Sequence, residues 1–267
     1  MKAIIDADIL LWEVGYAAEI GHSAFAKDPL SLPNFDYVEE LLHKRIEQIA
    51  YSTKADEVEL FLTVPDVPTI RYEIAKTKPY KGGRKQERPW HYRNLLAYME
   101  ASYPVTFATH NLEADDMMAI AQTKDPDNTI VCSRDKDLLQ VPGWHYSWEL
   151  GRQAEFGPEY VENPGYLNLS DKNKLSGTGY VFFAAQMLMG DPADSVPGLP
   201  KWGATKTYKW LEDCKDLDHY RCRVHDAYAS LNIDFYTYMI EQAQLLWLVR
   251  RFNVDGTPEL WREDLYE

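Results

Sequence analysis

The sequence predicts an α/β fold, a largely parallel sheet with helices between its strands, continued by a helical C-terminal region. Three observations lead there. Short apolar or β-branched runs bounded by polar residues occur at residues 2–6, 58–64, 105–109 and 129–133. Helical periodicities fall between them, with Val38, Leu41, Leu42, Ile46 and Ile49 on one face and Tyr92, Leu95, Leu96 and Met99 on another. Beyond about residue 175 the strand signals fade. Helices are then predicted over 178–189, 204–213, 218–230 and 234–251, interrupted by a Gly/Pro-rich turn from Gly190 to Gly203.

Each element has a local reason. Ala3-Ile4-Ile5 is a short buried run that ends on Asp6, and Thr129-Ile130-Val131-Cys132 ends on Ser133. Strands that alternate with helices make βαβ units, whose ligands bind outside the carboxyl ends of the strands. We place a boundary between a core of residues 1–177 and a helical region of 178–267. The Gly-, Asn- and Ser-rich stretch from Gly151 to Gly179 reads as a surface connection.

The chain has 267 residues, 45% hydrophobic and 26% charged, which excludes fibrous and low-complexity classes. No run approaches the roughly 18 apolar residues of a membrane span, and Asp6 and Asp8 interrupt the apolar N-terminal stretch, so no secretory signal is expected. Three cysteines, Cys132, Cys214 and Cys222, fit a reducing compartment and not a disulfide framework. A cytoplasmic location is the expectation.

The net charge of −14 would repel a polyanion, but the charge is unevenly distributed. Between Arg71 and Arg93 stand eight basic residues, Arg71, Lys76, Lys78, Lys81, Arg84, Lys85, Arg88 and Arg93, against Glu73 and Glu87. The acids have their own pattern. Asp6, with Asp8 two residues on, closes the first strand; Asp66 follows the second; Asp135 and Asp137 follow the strand ending at Ser133. A helix carries Glu113, Asp115 and Asp116, and Asp191 and Asp194 form a further pair three residues apart.

Singly, each acid reads as a helix cap, Asp191 before Pro192 being a good example. Together they demand compensation, because two carboxylates 4 Å apart repel by about 4 kcal/mol at an effective dielectric near 20. All-oxygen ligands select Mg²⁺, Mn²⁺ or Ca²⁺, and a carboxylate site with room for two such ions suits phosphodiester hydrolysis. Lys and Arg of the basic segment would then hold phosphates beside the metals.

These motifs, in this order, resemble the 5′-nuclease superfamily (flap endonucleases and the 5′-nuclease domain of bacterial DNA polymerase I), and most of all the short bacteriophage 5′→3′ exonucleases. Ile4-Ile5-Asp6-Ala7-Asp8 is similar to the family's first aspartate strand, and Asp66 followed by Arg71 to its second motif. Tyr80-Lys81-Gly82-Gly83-Arg84 resembles the arch motif, and Glu113-Ala114-Asp115-Asp116 the acidic helix. Ser133-Arg134-Asp135-Lys136-Asp137 resembles the Asp-x-Asp motif, and Gly190-Asp191-Pro192-Ala193-Asp194 the Gly-Asp-x-x-Asp motif. Val196 to Lys206 resembles the helix-three-turn-helix.

The resemblance implies a PIN-like, Rossmann-like core with a basic helical arch at about 71–95 and a helix-three-turn-helix at about 188–212. It assigns Asp6, Asp66, Glu113, Asp115 and Asp116 to a first metal position and Asp135, Asp137, Asp191 and Asp194 to a second, with two Mg²⁺ ions and Mn²⁺ as a substitute. Lys81 and Arg84 would contact the scissile phosphate. Tyr80, Arg71, Lys85, Gly198, Lys201, Gly203 and Lys206 would contact DNA, Tyr80 by stacking on an unpaired base and the turn through its backbone N–H groups, with K⁺ bound there. Lys209 adds charge, whereas Ser195, Pro200 and Trp202 depart from the family pattern.

The implied activity is two-metal 5′→3′ exonucleolysis of duplex DNA, extending to RNA primers in RNA–DNA hybrids, with replication proteins as partners and a phage source. A 5′-flap endonuclease is the alternative. Two other classes compete with this reading. Asp6-Ala7-Asp8 also resembles the haloacid-dehalogenase phosphatases, which leave the basic segment and Glu113 to Asp116 unexplained. A non-catalytic DNA-binding protein would not be expected to keep every carboxylate. Cys214, His219, Cys222 and His225 fit no common zinc spacing, and Trp144, Trp148 and Trp247 read as core.

Overall fold

The structure is a computed structural model that describes residues 1–25, 32–83, 87–231 and 234–263. Its centre is a six-stranded sheet in the order β3-β2-β1-β4-β5-β6. The strands are β1 (Lys2–Asp6), β2 (Glu57–Leu62), β3 (Val105–Phe107), β4 (Thr129–Cys132), β5 (Gly143–Ser147) and β6 (Phe156–Val161). The first five run parallel and β6 pairs antiparallel to β5. Four of these strands were legible as apolar runs; β5 and β6 were not.

Alternation along the strands splits the core into two layers. Ala3, Ile5, Leu60, Leu62, Ile130 and Cys132 face α1 (Ala7–Phe25), α2 (Phe35–Thr53) and α4 (Tyr92–Ser102), whose Leu10, Val14, Leu42, Ile46, Leu95 and Met99 complete that layer. Ile4, Phe61 and Val131 face the other way, against Ala114, Met118 and Ala119 of α5 (Ala114–Lys124) and against Leu248. Trp148 and Trp247 are buried in the core and Trp144 is partly buried.

Two expectations are corrected. The stretch 151–179 is not a plain surface connection, since it contributes β6 and a two-stranded ladder of β7 (Leu167–Leu169) and β8 (Leu175–Gly177). Its Gly and Asn masked the strand signal by serving tight turns, as at Gly165, where a positive φ and the Thr178 carbonyl leave no room for a Cβ. Among its described residues, the segment expected to be a helical arch at about 71–95 holds α3 (Ile70–Ile74) and the first turn of α4; residues 75–83 and 87–91 between them form turns and irregular chain. Pro79, Pro89 and the Gly82-Gly83 pair oppose helix there.

The C-terminal region has a separate apolar cluster built on α6 (Gly179–Met189), which is buried along almost its whole length. Around it pack α7 (Ala204–Leu211), α8 (Leu217–Ala229) and α9 (Phe235–Leu246). After α9 the chain returns to the sheet, where Leu248 and Val249 enter the core. Among the described residues no helix is long and apolar enough to cross a membrane.

Candidate active site

The carboxyl ends of β1 and β4 lie side by side, as the parallel pairing requires. Asp6 is buried; one oxygen accepts the Ile9 N–H at 3.1 Å, opening α1, and the other accepts the Ser133 hydroxyl at 2.7 Å. Ser133 Oγ in turn accepts the Asp135 N–H at 2.9 Å. Asp8, in the first turn of α1, accepts the Thr63 N–H just beyond β2 at 3.2 Å. Three parallel strand ends are thereby stitched together through acidic side chains.

The opposite wall comes from α5 and from the segment after α3. Glu113 caps α5 in a reciprocal box with Asp116. Lys81 Nζ lies 2.6 Å from Glu113, and the Lys81 N–H donates to the Asp194 carbonyl at 3.0 Å. Asp6, Asp8, Glu113, Asp115, Asp135, Asp194 and Lys81 line one cavity of about 880 Å³.

The charges in this cavity are poorly compensated. Burial, with Asp8 nearby, pushes the Asp6 carboxyl up to about 7, and burial pushes Asp8 up to about 6. Burial followed by Asp116 and Glu113 drives Asp115 well above the usual range. Outside the cavity lining, burial and Asp135 push Asp137 up to about 7. Glu113 is the exception: burial would raise it, but Arg71 and Lys81 outweigh burial and hold it low. Lys81 is stabilised as the ammonium because Glu113, Asp115 and Asp194 overcome its own burial.

The donor set fits a hard divalent cation, because carboxylates whose ionisation is opposed by burial and by one another are acids that lack a counter-charge. Among the described residues no three acidic, His or Cys side chains converge to enclose an ion unaided. That is compatible with Mg²⁺, which keeps several waters and takes one or two carboxylates plus substrate phosphate oxygens.

Several expected site residues stand elsewhere. Asp66 points away from the cavity and pairs with Arg88 at 2.8 Å, its side chain 65% exposed; the chain turns outward there through a positive φ of 64°. Asp8 takes the place beside β2 that Asp66 was expected to fill. Asp116 is fully buried and holds Arg71 in a fork at 2.6 and 2.7 Å, while accepting the Val249 N–H at 2.9 Å. Arg71 also donates to the Leu245 and Trp247 carbonyls, so this pair ties α3 and α5 to the end of α9 and is a brace instead of a phosphate contact.

Tyr80 is likewise buried and cannot stack on a base. Its hydroxyl lies 2.9 Å from both Glu113 and Asp194 and can donate to one at a time. Asp191 is buried in an ion pair with Lys136 at 2.7 Å and folds into a side-chain turn with the Ala193 N–H, not a helix cap. Asp137 accepts from Gln186 of α6 at 2.6 Å. Neither Asp137 nor Asp191 lines the cavity, although Lys136 and Gln186 place them at the joint between sheet and helical region.

In the turn before α7, the Gly198 N–H is spent on Gln242 at 3.0 Å, which removes it as a phosphate donor. Gly203, at the start of α7, and Lys201 and Lys206 are exposed, Lys206 Nζ lying 3.9 Å over the Trp202 ring. Arg84 and Lys85 lie outside the described residues. Trp12, Tyr16 and Arg134 also line the cavity and were given no role. The spacing of Trp12 and Tyr16, four and eight residues after Asp8 on one helix, was the available signal.

Two consequences follow. Between roughly pH 4 and 7 the unfolded carboxyl groups ionise before Asp6, Asp8 and Asp137 do, so the folded state binds more protons. The metal-free protein should therefore lose stability as pH rises through that window, and a divalent cation should cancel the loss, as read by thermal unfolding in EDTA and in MgCl₂. Asp66→Ala should leave both cleavage and stability close to wild type, within about 1 kcal/mol for an exposed pair. A 100-fold loss of cleavage would restore Asp66 to the site.

No protein-family model matches the chain. It is 28% identical over 200 residues to DNA polymerase I of Lactococcus lactis subsp. cremoris, covering 69% of this chain and 21% of that protein. It is 31% identical over 152 residues to DNA polymerase I of Streptococcus pneumoniae, covering 52% of this chain and 16% of that one. The chain thus spans about a fifth of the length of the curated relatives it matches. Among solved structures it is similar to a bacteriophage T5 protein co-crystallized with metal ions (TM-score 0.57, 14% identity, 92% of this chain and 88% of that one). It is also similar to the bacteriophage T5 5′-exonuclease with divalent zinc bound (TM-score 0.56, 14% identity, 92% and 89%). In the arrangement of its mostly parallel sheet and helices, this chain has the fold of the bacteriophage T5 5′-exonuclease.

Proposed function

We propose that the chain is a divalent-metal-dependent 5′-nuclease that hydrolyses phosphodiesters from the 5′ ends of duplex DNA. One observation carries the reading: buried, uncompensated carboxylates at adjacent parallel strand ends share a cavity with a lysine held as its ammonium. An acidic cleft with a fixed cation at its wall suits a phosphate that arrives with metal ions. The fold shared with the T5 5′-exonuclease and the similarity to bacterial DNA polymerase I support it.

Asp6, Asp8, Asp115 and Asp135 are the residues that would hold the ions, Asp194 acting from the far wall. When bound, divalent ions supply Lewis-acid activation of water and of the scissile phosphate. Lys81 places a positive charge against the phosphate as charge develops on its oxygens, and Glu113, held ionised by Arg71 and Lys81, fixes the direction of that ammonium. Ser133 and Thr63 orient Asp6 and Asp8 by donating to them, which leaves the remaining oxygen lone pairs for ions. The exposed turn at Lys201, Gly203 and Lys206 supplies contacts to the duplex backbone, and Arg84 and Lys85 add basic charge to the segment that follows Lys81.

The test is cleavage of a blunt duplex and a 5′-flap substrate, each labelled separately at its 5′ and 3′ ends, in Mg²⁺ and in EDTA. Mononucleotides released from the 5′ end of the duplex in Mg²⁺ alone are expected. A single product near the flap junction would make the chain a flap endonuclease, and a matching RNA–DNA hybrid reports whether primers are substrates. Absence of Mg²⁺-dependent cleavage of every substrate would overturn the reading.

A further inference from the structure

We propose that the cavity contains a subsite for the 5′-terminal phosphate of the substrate strand, read by Arg134 with Arg45. The proposal rests on the nuclease reading above and assigns the polarity of that same site.

The cavity does not stop at the carboxylates. It follows α1, since Asp8, Trp12 and Tyr16 line it at four-residue intervals and Ile9 and Glu13 do so beside them. At 1.5 Å per residue, Tyr16 stands about 12 Å beyond Asp8 along the helix, and Glu13 about 7.5 Å. Trp12 and Tyr16 are an aromatic wall, their ring centroids 6.0 Å apart, which suits a nucleobase in place of a metal.

In the same cavity, two guanidinium groups approach one carboxylate of α1. The Glu13 side chain, 6% exposed, pairs with Arg45 at 2.7 Å through one oxygen, while its other oxygen accepts the Trp148 indole N–H at 2.8 Å. Arg134 stands 3.9 Å from Glu13, beyond hydrogen-bond distance. Its Nη2 donates to the Leu150 carbonyl at 3.3 Å and to Gln153 at 2.8 Å, but its Nε is buried and has no hydrogen-bond partner among the described residues.

A buried guanidinium N–H without an acceptor is costly unless a ligand or water supplies one. Two arginines against one glutamate leave a net positive charge, so the missing group is an anion. Arg134 immediately precedes Asp135, with consecutive Cα atoms about 3.8 Å apart, so this positive end begins one residue from the acidic end.

The two ends select a strand polarity. A diester placed against Lys81 and the carboxylates leaves the next nucleotide along α1, its base on Trp12 and Tyr16 and its own phosphate at the guanidinium pair. A terminal phosphate carries more negative charge than an internal diester and presents three oxygens to Arg forks, so this end favours a phosphorylated terminus. One nucleotide lies between the two ends, consistent with mononucleotide release.

The test reads binding apart from cleavage. Fluorescence anisotropy in CaCl₂ compares blunt duplexes that differ only in a 5′-phosphate or a 5′-hydroxyl. The wild type should prefer the phosphate by about tenfold, the scale of one charge-assisted hydrogen bond. Arg134→Ala should bring the ratio close to one, and Arg134→Lys should restore part of it. Glu13→Gln keeps an acceptor for Trp148 while removing the competing charge, so it should widen the ratio, a change of sign that misfolding does not produce. Equal affinities of the wild type for the two ends, or a ratio unmoved by Arg134→Ala, overturns the subsite. Failure of the nuclease reading shows separately, as absent Mg²⁺-dependent cleavage with the end preference intact.

Discussion

Asp116→Asn is expected to cost about 3–5 kcal/mol of folding stability, because it leaves the buried Arg71 guanidinium only Glu113, which is shared with Lys81, as a counter-charge. The residue resembles a metal ligand by its motif, yet its two oxygens are committed to Arg71 and to the Val249 N–H. The guanidinium is secured from every side by Asp116, Glu113 and two backbone carbonyls, which keeps it charged despite its burial. Removing the forked anion exposes the part of that burial cost that Glu113 does not offset. Urea unfolding in EDTA measures it without reference to catalysis. A double variant, Arg71→Met with Asp116→Leu, should lose less than the single change, since removing both charges also removes the desolvation cost. Wild-type stability of Asp116→Asn would show that the brace is not needed and return Asp116 to the metal-binding set.

Asp8→Asn should act in the opposite direction on stability and far more strongly on activity. The amide oxygen can still accept the Thr63 N–H, so the local fold survives, while one of several mutually repelling carboxylates disappears. The metal-free protein should therefore be as stable as wild type or more so near pH 7. Cleavage should fall by about 10²–10³-fold, the scale for losing one preorganised charge at a reacting centre. Mg²⁺ should raise the wild-type melting temperature and raise that of the variant less. A variant that cleaves like wild type, or that is destabilised in EDTA, would remove Asp8 from the site.

The contrast between these two aspartates shows what a motif reports. Asp115 and Asp116 are adjacent on one helix and both match the acidic-helix pattern. Whether each faces the cavity or the interior depends on rotation about the helix axis relative to the sheet. A turn of 100° per residue directs Asp115 to the cavity and Asp116 to Arg71, and no spacing rule in the sequence announces that Arg71 waits there. Asp66 and Asp8 make the same point. Both lie near a strand end, but Asp66 turns outward at a left-handed residue, whereas Asp8 accepts the Thr63 N–H just beyond the neighbouring strand.

Basic residues divide in a similar way. Arg71 and Lys81 belong to one positive segment, yet Arg71 is a buried brace and Lys81 faces the carboxylates. A charge balance sums the two equally because it carries no burial. Arg134 carries no role in the sequence pattern because a single arginine within an acidic motif has no periodicity, and its relation to Glu13 and Arg45 exists only once α1, α2 and the end of β4 are packed together.

What the sequence by itself determined is the local and the periodic: the apolar runs of β1 to β4, the helical faces of α2 and α4, the helical C-terminal region, and the order of its acidic residues along the chain. These depend on residues a few positions apart, whose side-chain directions the strand and helix repeats set in advance. Only the tertiary structure decided which carboxylates share a cavity, which are consumed by Arg71, Lys136 and Arg88, and which donors in the turn before α7 are already spent. Those outcomes depend on contacts between residues tens to more than a hundred positions apart, where burial sets whether a charge is a brace held by its partner or a site held open for a ligand.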